Sequence, residues 1–434
     1  MARAAVKKKA APRRARFVRE QGGIAEYALP NGLRILLAPD ESVPVAGCMV
    51  TYHVGSRNEK PGYTGSAHLL EHLLFKGSEK FNPEKGTMID KVLETKGARM
   101  NATTSFDRTN YYEVVPTDLL PLAIEIEADR MRTAWILEKD RVSEMPVVRS
   151  EYEIGENQPT YAVEKLIWST AFQAHPYHHP VIGWKSDIET VSIKELNRFY
   201  NDYYWPDNAT VTIAGKFDPK QALALVEEFF GVHPKASQPI PEVTTTEPPQ
   251  EGERRFVIER TGVDTFAIAY KIPHALHPDL SALTLLASIL YEDKTSRLYR
   301  LLVDPSLATN VMSYAIQLKN PALLETYVTL APGVTHEKIE KLVRAEFRRI
   351  RDSGVTAREV ARAKQAIRAY FATRRDGPYA LLSSLNEDIA TGDWTRFVTF
   401  PEAIAKVTPA DVRRVARTYL RDDQATVGWF VAKK

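Results

Sequence analysis

Val191-Ser-Ile-Lys-Glu-Leu196 leads into Asn208-Ala-Thr-Val-Thr-Ile213, and 216 positions later, without a gap, Val407-Thr-Pro-Ala-Asp-Val412 leads into Gln424-Ala-Thr-Val-Gly-Trp429. Each copy opens on a capping box, Ser192 with Glu195 and Thr408 with Asp411, and runs through an amphipathic helix into a β-branched strand. A repeat of this length means that one structural plan is used twice. Between the copies, His233 to Gly252 contains Pro234, Pro239, Pro241, Pro248 and Pro249, a composition that favours an extended, semi-rigid connector. The expected fold is therefore α+β. It comprises two homologous α/β-sandwich-like halves, each a mixed, largely antiparallel sheet flanked by helices. They span residues 20–232 and 253–434, joined by a linker over 233–252 and preceded by a basic flexible tail over 1–19.

Working outward, Ala25-Glu-Tyr-Ala-Leu29 and Leu33-Arg-Ile-Leu-Leu37 flank Pro30-Asn-Gly32 and read as a hairpin. Val45 to Val54 is a mostly apolar strand, and 97–104 with 110–115 form a further strand pair. A helix is expected from about Pro121 to Trp135. Ser143 is expected to cap another, with Pro146 in its first turn, where a proline is tolerated. In the second half, Thr265–Tyr270 echoes the strand holding Tyr52, and a helix follows near Leu280 to Leu290.

The 434 residues are 44% hydrophobic, enough for two or more real cores, and the net charge is +3, with the basic excess concentrated in residues 1–19. That segment holds Arg3, Lys7, Lys8, Lys9, Arg13, Arg14, Arg16 and Arg19 with no acid until Glu20, and it lacks the apolar region of a secretory signal. The nearly neutral remainder excludes a nucleic-acid-binding body, and no apolar run approaches the ~20 residues of a membrane span. Cys48, the single cysteine, excludes an intrachain disulfide and is expected in the core. A cytoplasmic location is expected.

The chemistry-bearing stretch is Gly65-Ser-Ala-His-Leu-Leu-Glu-His-Leu-Leu-Phe75. On a helix, His68 and His72 lie one turn apart on one face, with Glu71 at its edge. Two imidazoles so placed are a bidentate Zn²⁺ site that needs a third ligand from elsewhere, and a carboxylate beside them can take a proton from the attacking water. The order His-x-x-Glu-His is the inverzincin pattern. Glu144 and Glu151, two helical turns apart, point the same way, though acids at that spacing often mark only a solvated face. His175, His178 and His179 read as loop or core residues, and Tyr111 and Tyr112 as packing behind the motif helix.

Several motifs in order resemble the pitrilysin/insulinase family of inverzincin metallopeptidases, above all its half-length members typified by the mitochondrial processing peptidase β subunit. They are His68-Leu-Leu-Glu-His72 with Phe75-Lys-Gly77, Gly97-x-x-x-Asn101-Ala102, the Glu144/Glu151 pair, His175-Pro-Tyr177 with Val181-Ile-Gly183, and Pro206-x-Asn208-Ala. The resemblance implies a zinc endopeptidase acting on peptides or short unfolded polypeptides inside a clamshell chamber. His68, His72 and Glu151 would bind Zn²⁺, Glu71 would be the catalytic base, and Glu144 would orient the site from behind. Glu153 and Glu156 are rival third ligands without the seven-residue spacing. Asn101 and Ala102 would lie on an edge strand to which an extended peptide adds.

The family's Arg and Tyr, seven residues apart after a Ser-Arg-Leu segment, are missing. After Ser296-Arg-Leu-Tyr299, Leu302 and Thr309 stand in their places. The expected partner is accordingly a related zinc-free chain carrying that pair, in a heterodimer; a homodimer is the alternative, with Arg297 or Tyr299 substituting. An inactive structural or chaperone-like subunit, and a maturation protease dedicated to one precursor, are the alternative functions.

Overall fold

The computed structural model describes residues 14–433. Twelve strands form two sheets: β1 Arg16–Gln21, β2 Ile24–Ala28, β3 Arg34–Pro39, β4 Val45–Tyr52, β5 Arg99–Thr104, β6 Thr109–Pro116, β7 Ala209–Gly215, β8 Arg254–Arg260, β9 Thr265–Ile272, β10 Ala308–Ala315, β11 Ala322–Leu330 and β12 Ala425–Ala432. The first sheet has the order β1-β2-β3-β7-β4-β6-β5 and the second β10-β11-β9-β12-β8. Read from the other end, the second repeats the last five strands of the first. The pairing senses agree too. β3–β7 and β8–β12 are parallel, and every other pair is antiparallel.

The repeat that opened the sequence lies at the heart of this plan, since its strands are β7 and β12, each inside its sheet. The helix before β7 is Ile193–Tyr203 and the helix before β12 is Pro409–Tyr419. Their caps differ from expectation. Thr408 and Asp411 exchange both bonds of a capping box, whereas Ser192 accepts from the Glu195 amide without the reciprocal bond. Two more departures follow from longer-range structure. Residues 16–19, expected in the tail, belong to β1, which pairs with β2; residues 1–13 lie outside the described part of the chain. The helix expected to start at Ser143 spans Glu138–Glu156, with Pro146 inside it. The proline sits on an exposed position, so the amide it removes belongs to the wet side of the helix.

Helices cover both faces of each sheet, partly by exchange between the halves. Ala162, Val163, Ile167 and Trp168 of helix Pro159–Ala171 pack with Ala267, Ala269 and Leu323 of the second sheet. Leu382, Leu385 and Ile389 of helix Gly377–Ala390 pack with Leu36, Met49 and Ala214 of the first. This explains why β4 reads as a continuous apolar run rather than an alternating one. Cys48 lies in the first core, fully buried. Tyr111 also points into that core, against Phe75 at the end of the motif helix, where the buried Arg130 guanidinium stacks on both rings at 4.7–4.8 Å. Tyr112 does not pack there. Strand alternation turns it to the opposite face, against Tyr379 of the second half at 5.1 Å.

The motif helix, Ser66–Leu73, starts at Gly65 with φ +86, and a Cβ there would meet the Ile182 carbonyl oxygen at 2.4 Å. No local side chain caps it. The Glu59 carboxylate does so instead, accepting from Gly65 N at 2.8 Å and Ala67 N at 2.7 Å. Removing that carboxylate orphans two buried donors at the positive end of the helix. Glu59→Ala is expected to destabilise the protein by about 2–3 kcal/mol, read as a lower Tm in calorimetry.

Candidate metal centre

Two elements build the site. The motif helix presents His68, Glu71 and His72, and helix Glu138–Glu156, packed across it, presents Glu144 and Glu151. His68 Nε2 lies 3.7 Å and His72 Nε2 3.6 Å from Glu151 Oε2. One atom from each of the three residues falls within a 4.8 Å cluster, the one such grouping of three or more potential ligands among the described residues. A tetrahedral ion with bonds of about 2.0–2.1 Å holds its ligand atoms roughly 3.4 Å apart, so the donor set fits Zn²⁺ after small shifts.

The electrostatics favour the same use. Burial, with His72 alongside, lowers His68 to about 4, so its imidazole is neutral at pH 7 and has a lone pair to offer. His72 Nδ1 donates to the Glu144 carboxylate Oε2 at 3.2 Å, and its Nε2 faces Glu151. Glu144 itself is held by Lys76, one turn beyond His72. Burial acts to raise the Glu144 carboxyl, but the Lys76 and His72 hydrogen bonds outweigh it and leave it below the usual carboxylate range. Burial raises Glu71, and a hydrogen bond from Thr104 opposes it. Thr104 Oγ1 donates to Glu71 Oε2 at 2.6 Å, so this carboxylate is turned toward β5.

The rival acids are engaged elsewhere. Glu156 pairs with Lys165 and Arg260, and Glu153 lies 3.9 Å from Arg149. His175 and His179 are buried in the loop after helix Pro159–Ala171, where His175 Nδ1 accepts from the Tyr177 amide. Asn101 is exposed on β5, an edge strand bonded only to β6 among the described residues, and its Oδ1 accepts from the Ala102 amide at 2.9 Å. Thr104, Glu59 and Lys76 escaped the sequence reading. Thr104 and Glu59 act through contacts 33 and 6–8 residues away that follow no helical or strand period, while Lys76 stood unremarked inside the Phe75-Lys-Gly77 motif.

In the second half, the corresponding helix, Leu280–Leu290, contains no histidine or acidic residue, so no ligand set is repeated there. Leu302 is fully buried in the second core, and Thr309 is exposed on β10. Arg297 is bound by Glu359 at 2.6 Å and Glu346 at 2.9 Å, and it donates to the Gly354 carbonyl.

Residues 34–185 match the family described as insulinase (Peptidase family M16), and residues 190–367 match the Peptidase M16 inactive domain. The chain is 30% identical over 404 residues to the zinc protease PqqE of Helicobacter pylori, covering 92% of this chain and 90% of that protein. It is 28% identical over 419 residues to a probable mitochondrial-processing peptidase subunit beta of Schizosaccharomyces pombe, covering 92% and 89%. Among solved structures, a protease from Helicobacter pylori superposes with a TM-score of 0.89 at 28% identity, covering 93% of this chain and 98% of that one.

Proposed function

The chain belongs to the M16 insulinase family of peptidases, and on that premise we propose that it is the metal-bearing subunit of a zinc endopeptidase that cleaves peptides or short unfolded polypeptides within a closed chamber. The convergence of His68, His72 and Glu151 from two separate helices carries this reading. Residues 20–232 hold the site, and residues 253–434, beyond the linker 233–252, form the opposing wall.

Zn²⁺ on those three residues would polarise the scissile carbonyl and make the attacking water more acidic. Glu144 fixes the His72 ring and its tautomer. Glu71 takes one proton from the water as its oxygen adds to the carbonyl carbon, then delivers that proton to the amide nitrogen as the C–N bond breaks. Because Thr104 occupies Oε2, the other carboxylate oxygen is the one left to move the proton. The peptide lies extended along the free edge of β5 beside Asn101 and Ala102, held by main-chain hydrogen bonds that tolerate many sequences. No helix among the described residues is long and apolar enough to cross a membrane.

The test is metal content. Purified Glu151→Ala is expected to lose most of its zinc in elemental analysis, as a three-ligand site does with one ligand gone. Full occupancy in that variant would remove Glu151 from the ligand set.

A further inference from the structure

Thr104 closes β5, and its hydroxyl supplies the one hydrogen bond to the Glu71 carboxylate found among the described residues. Its neighbour Thr103 faces the other way. The Thr103 hydroxyl donates to Asn110 Oδ1 and accepts from Arg108, which pairs with Glu387 on helix Gly377–Ala390 of the second half. The end of β5 is thus clamped on one side by both halves of the chain and tied on the other to the motif helix. Among the described residues, the same strand has an unpaired edge.

We propose that Thr104 is a positioning residue. Its hydroxyl fixes the rotamer of Glu71 and thereby sets the proton acceptor in register with the peptide seated on β5. The proposal rests on the reading of Glu71 as that acceptor. The physical case is that Glu71 has three rotatable side-chain bonds, so without the Thr104 bond its carboxylate samples several positions. A misplacement near 1 Å is enough to cost about 10²-fold in rate.

Thr104→Val keeps the β-branched shape and removes the donor; Thr104→Ser keeps the donor. Both are assayed on the zinc-loaded full chain, in the assembly that gives it peptidase activity, with a quenched-fluorescence peptide library as substrate. Thr104→Val is expected to lower kcat about 10–100-fold with KM within about twofold and zinc content unchanged, and Thr104→Ser to recover most of the rate. In crystals of the metal-free proteins, the Glu71 carboxylate leaves its wild-type position in Thr104→Val and keeps it in Thr104→Ser. Wild-type kcat in Thr104→Val, an unmoved Glu71, or a loss carried by KM or by zinc would each overturn the proposal. Glu71→Gln in the same assay keeps the two readings apart. If it is inactive while Thr104→Val is fully active, only the role of Thr104 falls; if it is active, the assignment of Glu71 falls first.

Discussion

Glu71→Gln is expected to retain zinc and to lose at least ~10² in turnover, the scale set by losing a general base. The amide has nearly the shape of the carboxylate, and its carbonyl oxygen still accepts from the Thr104 hydroxyl, so the link between the motif helix and β5 survives. Proton acceptance does not. Glu71 lies outside the cluster formed by His68, His72 and Glu151, so the proposed ligand set is untouched by the change. Zinc by elemental analysis and initial rates on a peptide substrate, taken from one preparation, decide the matter. Wild-type turnover would assign the base to another group.

Periodicity made the local parts of this protein legible. The four-residue step between His68 and His72 and the seven-residue step between Glu144 and Glu151 are helical spacings, and each pair shares a face whatever the helix packs against. The repeat announced two alike halves, because the same helix and strand recur at one offset. Parallel pairing of β3 with β7 could not be read, since it joins segments separated by most of the first half and is set by packing. The start of the Glu138–Glu156 helix was misplaced because Ser143 and Pro146 imitate a cap and first turn. The true first turn carries Glu138 and Asp140, and the Leu137 carbonyl accepts its first amides. Thr104 illustrates the general limit. Nothing local separates it from Thr103; strand alternation sends one hydroxyl to Glu71 and the other toward Arg108, and only the packed fold says which is which.

Alone, the chain is expected to bind zinc and cleave poorly, and a related chain without His-x-x-Glu-His but with the Arg/Tyr pair is expected to raise kcat/KM by ~10²–10³, the worth of a fixed donor at a developing oxyanion. Arg297, the cation that could stand in locally, is committed to other tasks, as are the positions of the missing pair. Arg297 spends its guanidinium on Glu346, Glu359 and the Gly354 carbonyl, so freeing it would break two ion pairs. Leu302 is sealed in the second core and has no donor to offer. Thr309, though exposed, leans its hydroxyl toward the Thr329 carbonyl at 3.4 Å on its own sheet. A homodimer would therefore bring two zinc sites and no such pair into one chamber, whereas a zinc-free relative would complete a single site. Size-exclusion chromatography with kinetics, on the chain alone and after adding the relative, separates the outcomes. Full activity from a monomer or homodimer, unchanged by the added chain, would place the oxyanion donors within this sequence and rule the heterodimer out.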